Sequence, residues 1–252
     1  MIDLTNQVAL ITGGSRGIGA ATAKKFAQAG AVVAITYRND KYAAGKVINE
    51  IISSGGSGMA VKADLQKFGD CRKAVSRIMT RFGRIDILVN SAGIWEFGPI
   101  DRMKPASWER TMKINLNSVF NMCRLVAPIM KQRNYGRIIN ISSTAGQQGE
   151  GFYSHYAASK GGIISFTKSI AIELIPFGIW VNCVAPGWVL TDMTAHVFRN
   201  SRMKTEILKN MPRGKIPAPN EIAGPIVFLA SHLADNIVGE VLNVNGGSLM
   251  CG

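Results

Sequence analysis

Val8-Ala9-Leu10-Ile11-Thr12-Gly13-Gly14-Ser15-Arg16-Gly17-Ile18-Gly19 is the stretch on which the reading of this chain turns. An apolar run, Val8–Thr12, enters a glycine-rich turn, and a helical pattern follows through Ala29, closed by Gly30. Glycines permit a tight turn and let an anionic group approach the backbone closely, while the helix start offers unpaired N–H donors and the positive end of its dipole. Such a turn means little in isolation, and its position directly after the first strand is what makes it informative.

Outward from that turn the chain alternates between strand and helix patterns. Ala31–Tyr37, Gly58–Ala63, Ile85–Asn90, Arg137–Ser142, Trp180–Ala185 and Val241–Asn245 read as further strands. Lys41–Ser54, Phe68–Phe82, a long stretch over Ala106–Gln132 and Tyr156–Ile175 read as helices. Nearly continuous apolar strands separated by helices imply a parallel sheet covered on both faces. Right-handed crossovers then predict an α/β fold: one doubly wound, Rossmann-like domain over residues 1–252, with a sheet of about seven strands. The least regular region, Asp192–Pro219, is basic, contains Met193, Met203 and Met211, and is interrupted by Pro212, Pro217 and Pro219. It follows a strand's C-terminal end, where α/β folds bind ligands, so a substrate lid over 192–219 is expected.

Composition excludes several classes. The four cysteines, Cys71, Cys123, Cys183 and Cys251, are dispersed, and the three histidines, His155, His196 and His232, form no triad. Neither a disulfide framework nor a metal site is expected, and reduced thiols suit a cytoplasmic protein. The polar Met1–Gln7 leads straight into a strand without a secretory pattern, and the uncharged span Leu174–Thr191 is broken by Pro176, Gly178, Pro186 and Gly187. A soluble protein with no membrane partner follows. The net charge of +13 is concentrated, with six basic residues and no acidic one between Arg110 and Gly149. That field suits anionic partners such as phosphorylated cofactors or acyl thioester carriers, or simply a soluble cationic surface. Nucleic acid is suggested by charge alone, with no recognition module, and is not expected.

The glycine spacing, Gly-x-x-x-Gly-x-Gly, differs from the common Gly-x-Gly-x-x-Gly fingerprint and resembles the short-chain dehydrogenase/reductase family. The resemblance runs along the chain. Asn90-Ser91-Ala92-Gly93 is similar to that family's Asn-Asn-Ala-Gly signature, with Ser91 in place of the second Asn, and Pro186-Gly187 with Val189 and Thr191 resembles the segment that closes over nicotinamide. It implies a cofactor site built from Gly13, Ser15, Arg16, Gly17, Ile18 and Gly19, from Asn90, Ala92 and Gly93, and from Pro186, Gly187, Val189 and Thr191. Asp64 and Leu65 resemble the family's adenine contact, and Asp64 reads equally well as a helix N-cap. At the end of the second strand, where NAD enzymes place an acid for the ribose 2′-hydroxyl, this chain has Thr36, with no acid before Asp40. Arg38 and Arg16 suit a 2′-phosphate through charge-assisted bonds, so NADP(H) is the expected cofactor.

The same resemblance implies a catalytic tetrad of Asn115, Ser143, Tyr156 and Lys160. Tyr-x-x-x-Lys recurs at Tyr37/Lys41 and Tyr42/Lys46, but only Tyr156/Lys160 follows the fifth strand with Ser143 thirteen residues upstream. Residues four apart share a helical face, so Tyr156 and Lys160 can point into one cleft, where an ammonium would favour the phenolate against the opposing effect of burial. Tyr156 is then the proton donor, Ser143 (with Ser142 as the alternative register) orients the carbonyl oxygen, Lys160 binds the nicotinamide ribose, and Asn115 holds a water near Lys160. His155 should point elsewhere on the helix. A Ser/His/Asp hydrolase lacks both the Gly-x-Ser-x-Gly elbow and a credible histidine.

Within the family the pattern is most like the reductases of 3-oxoacyl groups on acyl carrier proteins, through Gly239-Glu240, Asn245-Gly246-Gly247 and Arg137–Ser142. Where such reductases carry basic carrier-docking residues this chain has Asn134 and Phe177, although Lys131, Arg133 and Arg137 are close by. Trp95, Phe97, Phe152, Tyr153, Trp188 and Phe198 flank the predicted cleft and hint at a bulky apolar substrate, or at ordinary packing. An alcohol or ketone dehydrogenase acting on a free small molecule, or a non-catalytic NADP-sensing protein, are the competing expectations. A homo-oligomer, usually a tetramer, is implied by the resemblance.

Overall fold

The computed structural model describes residues 2–251. Strands β1 (Val8–Thr12), β2 (Val32–Tyr37), β3 (Gly58–Lys62), β4 (Ile87–Asn90), β5 (Gly136–Ile141), β6 (Ile179–Pro186) and β7 (Val241–Val244) form one sheet in the order β3-β2-β1-β4-β5-β6-β7. Every neighbouring pair is parallel. Alternation along β1 divides the core. Ala9 and Ile11 pack with Ala23 and Phe26 of α1 (Gly17–Gln28), Val47 and Ile51 of α2 (Lys41–Ser53), and Ile222 and Ile226 of a later helix. Val8 and Leu10 face Ala74 and Ile78 of α3 (Phe68–Phe82), together with two long helices beyond β4. Both faces are therefore covered, as buried parallel strands require.

The predicted long helix after β4 is interrupted. It runs as α4 (Pro105–Met112), a π-helical turn (Lys113–Asn117) and α5 (Ser118–Arg133). Periodicity cannot reveal one inserted residue, and such π-bulges occur frequently at functional sites. Asn134 ends α5 in the left-handed region at φ 49°, a conformation Asn tolerates. After β5 come the short α6 (Thr144–Gln148), capped by Ser143, whose Oγ accepts from the Ala145 N–H at 3.2 Å, and α7 (Ser154–Leu174). The segment expected to be irregular holds two helices, α8 (Ala195–Arg199) and α9 (Ser201–Lys209). A further helix, α10 (Pro219–Leu229), covers the sheet opposite α5 and α7. Its start was written in the sequence: Pro219 sits in the first turn and Glu221 accepts from the Ala218 N–H at 2.8 Å. Gly224 and Pro225 obscured the helix that follows.

Close packing of α6 on α7 places the end of β5 against the middle of α7. A Cβ on Gly146 would stand 2.6 Å from the Lys160 carbonyl carbon and 2.8 Å from the Gly161 nitrogen, both backbone atoms. Gly146→Val should therefore force α7 outward, at about 1–3 kcal/mol of stability. We expect a lower melting temperature by calorimetry and a larger proportional loss of any activity that depends on Tyr156 and Lys160.

Candidate active site

The sheet order reverses between β1 and β4, and a cavity of ≈ 390 Å³ opens there. Loops leaving two adjacent strands in opposite directions create such a crevice, the usual ligand site of open α/β sheets. The β1 turn contributes Gly13, Ser15, Arg16, Gly17, Ile18 and Gly19, and the loops after β2 and β3 contribute Arg38, Asp64 and Leu65. Ala92 and Gly93 follow β4, Ser143 follows β5, Tyr156 and Lys160 come from α7, and Pro186, Gly187, Val189 and Thr191 from the end of β6 and its loop. Thr12 holds the two sides of the reversal together, its Oγ1 accepting from the N–H groups of Ser91 at 3.0 Å and Ala92 at 3.2 Å. Nothing in the local sequence announces that bond.

The turn has the dimensions of a phosphate cradle. Gly13 lies at φ +65°, and a Cβ there would come within 2.9 Å of the Ala92 Cα. A Cβ on Gly19 would stand 2.4 Å from the Gly13 oxygen, so the α1 N-terminus packs directly on the turn. Thr36 is buried and its Oγ1 accepts from the Gly13 N–H at 3.4 Å, bracing the turn. Arg38 and Arg16 both border the cavity, and the nearby Asp40 carboxylate is engaged as the cap of α2, accepting from the Ala43 N–H at 2.8 Å. These residues fit the phosphates of a dinucleotide.

At the opposite end, Tyr156 and Lys160 face the same space from one side of α7. Lys160 is 5% exposed and its ammonium donates to the Ile141 carbonyl at 2.8 Å, anchoring α7 to the end of β5. Burial lowers it to about 8. Burial also pushes the Tyr156 phenol up to about 12, the Ser143 hydroxyl pulling it down and the Glu150 carboxylate adding to the rise. With protein groups alone, burial outweighs the expected pull of the Lys160 ammonium on the phenol. Ser142 is not an alternative to Ser143: its Oγ is buried and donates to the Lys160 carbonyl at 2.8 Å. His155 is buried under Gly98, away from the cavity, with neither ring nitrogen bonded.

Two expected site residues do not line the cavity. Asn90 is buried and donates to Asn140 Oδ1 at 2.9 Å, cross-linking β4 and β5. Asn115, in the π-turn, accepts from the Ile94 N–H at 2.8 Å and donates to the Ile94 carbonyl and to Ser159 Oγ, each at 3.0 Å. Both Nδ2 hydrogens and one Oδ1 lone pair are thereby engaged, so the side chain fixes the Gly93–Ile94 loop beside Lys160. A Cβ on Gly93 would sit 3.3 Å from Asn115 Oδ1 and 3.7 Å from Lys160 Nζ, which shows how closely the three segments meet. Ser159 completes this network by donating to the Tyr156 carbonyl at 2.7 Å, and no local pattern marks it because the Asn115 amide it accepts from lies forty-four residues away. Among the described residues no cluster of histidine, cysteine or acidic groups could hold a metal, the cysteines are free, and no helix is long and apolar enough to cross a membrane.

A dinucleotide cradle and a tyrosine–lysine pair at the two ends of one cavity define a nicotinamide-dependent oxidoreductase of the α/β class. The chain belongs to the short-chain dehydrogenase/reductase family, whose profile described as enoyl-(acyl carrier protein) reductase matches residues 13–248. It is similar to the 3-oxoacyl-[acyl-carrier-protein] reductases of Synechocystis sp., at 41% identity over 99% of this chain and 100% of that one, and of Vibrio cholerae, at 40% over 99% and 100%. Among solved structures it resembles a putative gluconate dehydrogenase from Agrobacterium tumefaciens, with TM-score 0.96 and 33% identity over 100% of this chain and 99% of that one. A dehydrogenase/reductase from Sinorhizobium meliloti is also similar, with TM-score 0.92 and 35% identity over 99% and 97%.

The buried ammonium has a measurable consequence. Because the folded pKa of Lys160, about 8, lies below its ordinary 10.5, the unfolded chain binds the extra proton more readily between those values, and stability rises with pH there. Lys160→Met should raise the melting temperature at neutral pH. The gain should be full below pH 8 and shrink as the pH approaches 10.5, in parallel scans of both proteins.

Proposed function

We propose that the protein is an NADP(H)-dependent reductase acting on a carbonyl, the 3-oxo group of an acyl thioester being the first candidate. The observation that carries this reading is one cavity bounded by Arg16 and Arg38 at one end and by Ser143, Tyr156 and Lys160 at the other. The names of the relatives at 41% and 40% identity support the thioester. In this reading the β1 turn would hold the pyrophosphate, Arg38 and Arg16 the 2′-phosphate, and Lys160 the nicotinamide ribose. When bound, the reduced nicotinamide supplies hydride to the carbonyl carbon. Tyr156 Oη gives its proton to the developing alkoxide, and Ser143 Oγ donates a hydrogen bond to the same oxygen. A phenol held near 12 is protonated throughout the neutral range, which suits it to act as the acid of a reduction. Asn115 serves as a positioning residue, through Ile94 and Ser159.

A free ketone is the second substrate reading, and the face expected to dock a carrier favours it. Arg137 is buried, pairs with Asp235 and lies 4.0 Å from the Trp180 ring, so it is withdrawn from any surface. Lys131 lies 4.0 Å over the Phe177 ring. The cytoplasmic, homotetrameric enzyme implied by the family, with residues 192–219 as its lid, belongs to the same proposal. Phe120, 45% exposed on α5 and in edge contact with Phe166 of α7, supports a covered helical face.

Three measurements test the reading. Loss of reduced nicotinamide absorbance with acetoacetyl-CoA and with free ketones should be seen with NADPH and be much weaker with NADH. Tyr156→Phe should lower kcat by about 10²–10⁴-fold with little change in NADPH affinity, since only the proton donor is removed. Arg38→Ala should raise the KM for NADPH by roughly tenfold or more while leaving that for NADH nearly unchanged, as expected for loss of a charge-assisted bond. Equal use of NADH and NADPH by the native enzyme would refute the cofactor assignment.

A further inference from the structure

Beyond the mouth of the cavity, rings from three parts of the chain meet around one acid. Trp95, in the loop after β4, stacks on Tyr153, just before α7, with centroids 4.3 Å apart and planes 8° from parallel. Its edge meets Trp188, after β6, at 5.7 Å and 89°, and Trp188 in turn meets Phe198 of α8 at 5.9 Å. His196 of α8 lies 5.7 Å from Trp95. The indole Nε1 of Trp95 donates to Glu150, 3.2 Å from each carboxylate oxygen. In a chain of net charge +13, Glu150 is half-buried with no cation beside it among the described residues; burial raises its carboxyl and only the Trp95 N–H opposes the rise. Its negative charge reaches both Tyr153 and Tyr156, raising each.

The wall has a definite chemical preference. Flat indole and phenol faces favour a ring that can lie against them in offset or edge geometry over a flexible alkyl chain. A half-buried carboxylate in a weakly screened site repels another anion. Trp95 follows the cavity-lining Ile94, Trp188 lies between the cavity-lining Gly187 and Val189, and the Glu150 charge reaches Tyr156, so this wall adjoins the end of the cavity where a carbonyl would accept the Tyr156 proton. We infer that the substrate carries an uncharged aromatic group next to the reacting carbonyl, selected by the Trp95–Tyr153–Trp188 wall, and that Glu150 excludes substrates with a negative charge at that end. The inference rests on the carbonyl-reductase reading above and narrows its substrate class.

The test uses the full-length enzyme with NADPH and matched 3-oxo esters: the neutral ethyl benzoylacetate and ethyl acetoacetate, and the anionic benzoylacetate with a carboxylate on its ring. The native enzyme should prefer the aryl over the methyl ester by about tenfold or more in kcat/KM, chiefly through KM, the scale on which an apolar pocket discriminates. The ring carboxylate should remove that preference. Glu150→Gln, which keeps the bond from Trp95, should restore the carboxylate-bearing substrate by about tenfold or more without a matching gain for the neutral ester. Trp95→Ala should erase the aryl preference by raising KM, and Trp95→Phe, which keeps the stack, should retain most of it. If Trp95→Ala does not fold, the Glu150→Gln comparison decides alone. An enzyme that reduces acetoacetyl-CoA or the methyl ester but is indifferent to the ring and its charge overturns this inference and leaves the reductase reading standing. One that oxidises NADPH with no carbonyl overturns both.

Discussion

Everything functional in this molecule depends on the parallel pairing of β1 with β4, in which Thr12 lies opposite Asn90. Crossovers from β1 run toward β2 and β3, whereas those from β4 run toward β5, β6 and β7, so the two strands part company at their C-terminal ends. The crevice is a consequence of connectivity, and the side chains then exploit it. The Thr12 hydroxyl holds the crevice to a fixed width by taking two backbone N–H groups from the β4 loop. The glycine turn stands on one rim and Gly93 on the other, each at a point where a side chain would collide with the opposite wall or with Asn115.

Around that crevice the protein keeps groups that do not favour the folded state on their own. An ammonium buried to 5% exposure is held by a single backbone carbonyl, and a phenol and a carboxyl nearby are both pushed upward by loss of water. Desolvation penalties of this kind survive where surrounding packing over-determines the geometry. Here that packing is the α6–α7 contact at Gly146 and the Asn115–Ser159 bond behind Lys160. The rigidity of the site thus comes from buried neighbours that never meet a ligand in the cavity.

The two ends of the cavity are built from different kinds of structure. The glycine turn, Arg38 and the tyrosine–lysine pair stand on the strand ends and on α7, which the sheet holds in place. The wall of Trp95, Tyr153, Trp188 and Phe198, with Glu150 inside it, is assembled from loops and α8, where α/β proteins vary most freely. A scaffold of parallel strands leaves those loops free to set specificity, because their ends are pinned by the sheet while their middles carry no packing duty.

Local pattern in the sequence was enough to establish the parallel α/β class, the strand positions to within a residue or two, and the turn after β1, because buried strands and glycine turns leave contiguous signatures. The i, i+4 spacing of Tyr156 and Lys160 likewise suffices to place both on one helical face. Tertiary structure alone decided that Lys160 bonds Ile141 while Ser142 is occupied with the Lys160 carbonyl, that Asn115 is turned by a π-bulge onto Ile94, that Arg137 is buried beneath Trp180, and that Glu150 meets Trp95 across fifty-five residues. The physical reason is common to all of them. Hydrogen bonds and desolvation depend on which atoms meet across the fold, and residues far apart in the chain carry no mark of the partner that packing will bring to them.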